Sequence, residues 1–222
     1  GVIVQASGTV VIAAAGMGTR LGLNLPKALV EVGGRPIIAH QLDLLSEIDD
    51  VVVVVGYRAR QVVDLVLSIR PQALIAFNHD YASTGTAASL SKGSQAAGDR
   101  VVALDGDLLV DRGDFYTFWN CNEAVLGLTR PTTGRPVYAH LHDGGGHVVR
   151  LTQDDTSEWE WCGLLAAPRQ VTASLGSGHV FSGLRSHLPL DWITVDCVEV
   201  DDPDDLARAG SWLAERGGSL SG

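Results

Sequence analysis

Four short apolar runs constrain this chain more than any other feature: Thr9–Ala14, Val51–Val55, Ala73–Phe77 and Val101–Leu104. They are compact, mostly β-branched or aliphatic, and bounded by turn-forming residues. Runs without polar alternation suit strands buried on both faces, as in a parallel sheet covered by helices. Amphipathic stretches lie between them. Pro36 opens one in which Ile37, Ile38, Leu42, Leu45 and Ile48 recur at helical spacing, and Ala59–Ile69 and Thr86–Ala97 read the same way. The order β-α-β-α-β-α-β over roughly the first hundred residues predicts a doubly wound, mostly parallel α/β sheet.

After Asp111 the pattern changes. Ala124–Thr129, Val137–His142 and Val148–Thr152 read as shorter strands, with Gly144-Gly145-Gly146 as a hairpin turn. They predict antiparallel additions to the sheet. Two short helices are expected over Pro168–Leu175 and His179–His187, then a last strand, Ile193–Val200, and a helix from Pro203 to about Glu215. Gly217–Gly222 reads as a frayed tail. No internal repeat or linker marks a second domain, so one domain over 1–222 is expected.

Composition narrows the partners. Sixteen basic against 26 acidic residues give a net charge of −10, and no basic patch stands out. Nucleic acid and anionic membrane are therefore poor partners. No apolar run reaches the ~18–20 residues of a membrane span, and the chain reads as a cytoplasmic protein. Cys121, Cys162 and Cys197 are odd in number and far apart, fitting neither a disulfide framework nor zinc spacing. They read as buried thiols in a reducing compartment. His140, His142 and His147 flank the glycine turn and read as an exposed hairpin, not a zinc site.

The chemistry begins directly after the first strand, at AAAGMGTRLG (Ala13–Gly22) followed by LPKAL (Leu25–Leu29). A glycine-rich turn at a strand's carboxyl end can aim backbone N–H groups at phosphate oxygens. Arg20 and Lys27 add positive charge to an otherwise acidic protein, as an anionic ligand requires. Two familiar loops fail: Leu21 stands where G-x-G-x-x-G needs its third glycine, and Lys27 follows Gly22 too late for G-x-x-x-x-G-K-[ST].

Two acidic clusters could hold a metal. In VVALDGDLLV, Asp105 and Asp107 are two residues apart where the fourth strand ends, so both can project from one side of extended chain. In VDCVEVDDPDDL, strand alternation puts Glu199 and Asp201 on one side, able to reach a shared site. Asp202 beside Pro203 suits a helix N-cap, with Asp204 and Asp205 in the first turn.

GMGTRLG with LPKAL resembles the signature of the sugar-nucleotidyltransferase superfamily, G-x-G-[TS]-R-[LM]…P-K. The resemblance implies a Rossmann-like nucleotidyltransferase fold, with an NTP-binding half over 1–110, an acceptor-binding half over 111–200 and a C-terminal helix over 201–216. It places Ala14, Ala15, Gly16, Met17, Gly18 and Thr19 around the nucleotide and gives Arg20 and Lys27 phosphate contacts. It also implies that Asp107 and Asp201 share Mg2+, with Asp105 and Glu199 in support.

Two further stretches are similar to small choline-phosphate and phosphonate cytidylyltransferases. VEVDDPDDL matches their [YV]-E-[IV]-D…D-L ending. Asn78, Tyr81, Thr84, Ser89 and Leu90 match N-x-x-[YF]-x-x-T-N-N-x-x-S-L, with Gly85 and Thr86 where two asparagines are usual. This implies CTP as donor, Asn78, Thr84 and Ser89 beside the nucleotide, and Tyr81, Trp161 and Glu199 beside the acceptor. Trp159, Trp161 and Trp192 suggest an aromatic cage for a quaternary ammonium; Arg112, Arg130, Arg135 and Arg150 suggest a phosphonate instead. The acceptor stays open between a phosphomonoester and a phosphonate. So do a guanylyl- or uridylyltransferase of the same fold, a nucleotide-binding regulatory protein without chemistry, and the pairing of two copies.

Overall fold

The computed structural model describes residues 1–121 and 124–220. β1 (Thr9–Ala13) leads through single 3-10 turns at Thr19–Leu21 and Lys27–Leu29 to a small ladder of β2 (Glu31–Val32) and β3 (Arg35–Pro36). Then follow α1 (Ile37–Leu44), β4 (Val51–Val55), α2 (Ala59–Ile69), β5 (Leu74–Phe77), α3 (Thr86–Ser94) and β6 (Arg100–Asp105). The second half runs β7 (Leu108–Val110), α4 (Arg112–Trp119), β8 (Val125–Thr129), β9 (Tyr138–Leu141), β10 (Val148–Thr152) and β11 (Trp159–Pro168). It closes with α5 (Arg169–Thr172), α6 (Val180–Gly183), β12 (Asp191–Thr194), β13 (Cys197–Glu199) and α7 (Pro203–Ala214).

The expected parallel sheet is present. β6, β1, β4 and β5 lie side by side in that order, all parallel, with Val11 opposite both Val52 and Ala103. Val10 and Ile12 pack into one core with α1, α2, α4 and α7, while Val11 packs into the other with α3, α5 and α6. Alternate side chains of one strand thus feed two helix layers, which is why residues 10–13 carry no polar side chain. Because the order reverses at β1, with β4 on one flank and β6 on the other, a crevice opens at the carboxyl ends of β1 and β6.

The antiparallel additions are larger than expected. β11 pairs antiparallel with β6, then with β8 and β9, and β12 runs parallel to β8. Neither β11 nor α4 is apparent in the sequence. The expected strand Ile193–Val200 is two strands: the chain leaves the main sheet after Thr194 and pairs β13 with β7 in a separate ladder. The tail is not frayed through Leu220, which is buried in the core; Ser221 and Gly222 lie outside the described residues. Asp202 caps α7 as expected, in a reciprocal box with Asp205. No helix among the described residues is long and apolar enough to cross a membrane.

Candidate active site

The glycine loop leaves β1 at the crevice. Ala14 N–H still bonds Val54 in the sheet, and the loop then closes on itself through Lys27 N–H to the Gly16 carbonyl, 3.3 Å. That bond seats Lys27 at the base of the loop. Opposite it, β6 ends at Asp105 and β7 starts after Asp107. The β7–β13 ladder sets Glu199 against Leu108, and Val200 N–H donates to the Asp107 carbonyl at 3.0 Å. Two acidic clusters some ninety residues apart are thereby held side by side.

Their side chains converge on one ammonium. Lys27 Nζ lies 2.6 Å from Asp107 Oδ2 and also bonds Asp201 Oδ1, while Arg20 Nη2 is 3.4 Å from the same Asp201 oxygen. Burial opposes the Lys27 charge, but the two carboxylates outweigh it and raise its pKa. Burial pushes Asp105 and Asp107 up, and it pushes Glu199 up to about 11, with the neighbouring Asp107 charge adding to it. Glu199 is thus a neutral carboxylic acid at pH 7, hydrogen-bonded to Asp201. Burial also works against the Asp201 charge, yet the Glu199 hydrogen bond and Lys27 hold its carboxyl down to about 2.

These residues fit a hard divalent cation. Asp107, Glu199 and Asp201 each offer an oxygen within 4.8 Å of the others, and Asp107 Oδ1 is buried with no hydrogen-bond partner among the described residues. An orphaned carboxylate oxygen in an all-oxygen set is what such an ion uses.

Two compartments meet at this cluster. The smaller, about 190 Å³, is lined by Ala14, Ala15, Gly16, Asn78, Thr84 and Ser89 of the expected nucleotide set, and by Tyr81, expected on the acceptor side. The larger, about 370 Å³, is lined by Arg20, Trp161, Glu199 and Asp201. Lys27, Thr86, Asp105 and Asp107 border both. Met17, Gly18 and Thr19 sit on the loop outside the two. Asn78 is fully engaged within its wall: Nδ2 donates to Thr84 and Ser89 hydroxyls, each at 3.1 Å, and Oδ1 accepts from Asp80 N–H.

Close backbone approach explains two glycines. A Cβ on Gly85 would lie 2.5 Å from the Gly178 carbonyl oxygen, and Gly85 N–H donates to Ser177 at 2.7 Å. The 177–178 backbone fills the space that an asparagine side chain would need. On β11, Gly163 has φ +96°, and a Cβ there would lie 2.4 Å from Asp105 Oδ2. This residue gives the strand its bulge and leaves Asp105 room.

Other expectations separate. The three tryptophans do not form a cage: Trp159 and Trp192 pack on each other with ring centroids 4.9 Å apart, Trp159 also lying beneath the Arg130 guanidinium at 4.1 Å, while of the three Trp161 alone lines the larger compartment. Of the four arginines only Arg135 reaches it. Arg112 bonds carbonyls at the end of α1, and Arg150 pairs with Asp155. The hairpin histidines each face a different aspartate: Asp155, Asp143 and Asp191. Cys121 and Cys197 are half-buried rather than buried; Cys162 is buried, and all three are free.

Sequence reasoning missed Glu160, His179 and Phe181, and it named Arg135 only as one of four arginines and Thr86 only as a departure from a pattern. Glu160 is 2% exposed and accepts from Thr132 N–H at 2.9 Å and from the Thr133 hydroxyl, so it fixes the loop that carries Arg135. A lone acid inside the apolar WEWCGLLAA was the available signal.

The comparisons with known proteins agree with this architecture. The bifunctional protein GlmU of Clavibacter sepedonicus is 39% identical over 149 residues, 64% of this chain and 29% of that protein. GlmU of Thermobifida fusca is 35% identical over 144 residues, 64% of this chain and 27% of that protein. The match thus spans under a third of these curated relatives. The inositol-1-phosphate CTP transferase from T. maritima superposes with a TM-score of 0.82 over 99% of this chain and 100% of its own, at 14% identity. The CTP:phosphocholine cytidylyltransferase LicC of Streptococcus pneumoniae gives 0.76 over 92% and 98%, at 20% identity. At such identities the likeness is one of fold: a Rossmann-like sheet, mostly parallel, with antiparallel strands added. A family model described as the MobA-like NTP transferase domain matches residues 10–171, and the chain belongs to that family.

Proposed function

We propose that this chain transfers a nucleotidyl group from an NTP, with CTP as donor, to a small phosphomonoester or phosphonate, releasing pyrophosphate. The observation that carries the reading is the junction of the compartments, where Lys27, Asp107 and Asp201 meet and one buried Asp107 oxygen lacks a partner among the described residues. A nucleotide on the glycine-loop side and an acceptor on the other would face each other across it. CTP is favoured by the 78–90 stretch and by the names of the two structural neighbours.

An acceptor oxygen attacks the α-phosphorus in line, and the bond to the β-phosphate oxygen breaks. The attacking acceptor oxygen is already ionised at pH 7, so no general base is needed, and rate comes from positioning and electrostatics. Backbone N–H groups of the Gly16–Gly18 loop hold the β- and γ-phosphates. Lys27, held protonated, neutralises charge that builds on the transferring group, with Arg20 beside it. Asp107 and Asp201 would hold Mg2+, which supplies further neutralisation of the phosphate oxygens when bound. Glu199 lies beside both aspartates, its carboxyl oxygen completing the cluster.

The test is pyrophosphate release with Mg2+, across four NTPs crossed with phosphocholine, aminoethylphosphonate, carboxylated phosphonates and sugar 1-phosphates. Release with CTP and one acceptor is expected. Release with another NTP alone would retire cytidine, and silence throughout would overturn the transferase reading.

A further inference from the structure

Gln41 is fully buried on α1, away from both compartments, and no step above uses it. Its Nε2 donates to the Asp105 carbonyl at 2.8 Å and to the Leu108 carbonyl at 2.9 Å. Between those carbonyls lie only Gly106 and Asp107. Both partners are acceptors, so the NH2 group and not the amide oxygen must face them. The amide oxygen is left buried without a partner among the described residues. A buried unpaired oxygen is unfavourable, and an apolar side chain on this face would avoid it. The amide is therefore retained for its two donors.

We propose that Gln41 is a positioning residue for metal binding: its amide clamps both ends of the Asp105–Leu108 turn and so aims Asp107 into the site. The inference rests on the transferase reading above. Glycine at 106 leaves the turn without a side chain of its own to stiffen it, and Val200 N–H holds it only from the β13 side. Gln41 supplies the restraint from the helix side. Without it the two carbonyls lose their partners, the turn relaxes, and the Asp107 carboxylate spreads over more orientations. Metal affinity falls first. Most nucleotide and acceptor contacts are made by other elements and change little once metal saturates.

Gln41→Met keeps the length and removes both donors. The Mg2+ half-saturation of pyrophosphate release should rise about 10-fold or more, the scale on which losing a ligand's outer partner weakens a metal. At saturating Mg2+ the KM values for NTP and acceptor should stay within about threefold of wild type. Mn2+ alone, titrated by electron paramagnetic resonance, should bind the variant correspondingly more weakly. Gln41→Asn, whose shorter amide cannot span both carbonyls, should show the same shift and serves if the Met variant does not fold. A lower melting temperature with unchanged metal half-saturation would make Gln41 merely structural and overturn the proposal. If wild type neither binds Mn2+ nor releases pyrophosphate from any NTP, the transferase reading itself has failed and this inference with it.

Discussion

The two compartments are built from different materials. The smaller is walled by backbone and small residues: the Ala13–Gly16 loop, Gly85, Gly106 and an Asn78 hydrogen-bonded inside its own wall. The larger is walled by long charged and aromatic side chains: Arg20, Arg135, Glu160, Trp161 and Phe181. Backbone donors cannot be changed by substitution and suit a phosphate chain, the part common to all four NTPs. Side chains on strands and loops can be exchanged freely and suit the part that varies. The difference predicts that damage to the common wall stops the reaction, while damage to either separate wall moves one substrate's KM.

The strongest test of that division lies on the common wall. Lys27→Ala should lower kcat by about 10²-fold or more, with both KM values little moved. Asp107→Ala should remove metal-dependent turnover. Steady-state kinetics against each substrate check both. Near-normal turnover in either variant would place the chemistry elsewhere.

Gly85→Asn probes the smaller wall. The new side chain meets the Gly178 carbonyl, so it must push back the 177–178 segment and should destabilise the fold by about 1–3 kcal/mol, as overpacking does. Because Thr86 borders both compartments, the NTP and acceptor KM should rise together. A rise in the NTP KM alone would confine that segment to the nucleotide side.

A smaller effect separates charge from geometry. Glu199 holds its proton up to about 11 when folded but releases it near its ordinary 4.5 when unfolded. Between those values the unfolded chain binds fewer protons, so this group's contribution to stability falls as pH rises. Asp201 works in the opposite sense, its stabilisation being lost only as pH falls from about 4 to about 2. Glu199→Gln removes the first dependence. Metal-free melting curves should show the variant gaining on wild type from pH 5 to pH 9, by about 2–4 °C for each kcal/mol relieved. Parallel curves would mean that Glu199 is ionised in the folded protein.

The parallel half could be read from the sequence because strands buried on both faces must be continuous apolar runs, as Val51–Val55 is. β11 is also buried on both faces, but Glu160 and Gly163 break its run, and its bulge destroys any register that periodicity could detect. Ile193–Val200 looked like one strand since local sequence does not record which sheet a residue joins. The acidic pairs were apparent because strand alternation itself puts Glu199 and Asp201 on one side. Glu160 and His179 were not, and Arg135 could not be told from three other arginines, because distant segments bring them together and none carries a local motif. Gly85 was visible only as a departure from a pattern. The reason for it, the Gly178 backbone, lies 93 residues further along the chain.

Arg135 gives the smallest effect and the sharpest discrimination. It is exposed at the rim of the larger compartment, and no carboxylate or carbonyl among the described residues accepts from its guanidinium, unlike Arg112, Arg130 and Arg150. Its loop is nonetheless fixed, because Glu160 holds Thr132 and Thr133 just before it. A cation held out on an anchored loop can meet an anionic part of the acceptor distant from the reacting oxygen. Solvent screening limits that contact, so Arg135→Ala should raise the acceptor KM only about fivefold, near 1 kcal/mol, leaving kcat and the NTP KM unchanged. The rise should be larger for a carboxylated phosphonate than for phosphocholine, whose far end is a cation. Equal losses with both acceptors would assign Arg135 to the phosphoryl group they share, and no loss with either would leave the acceptor's far end to Trp161 and Phe181.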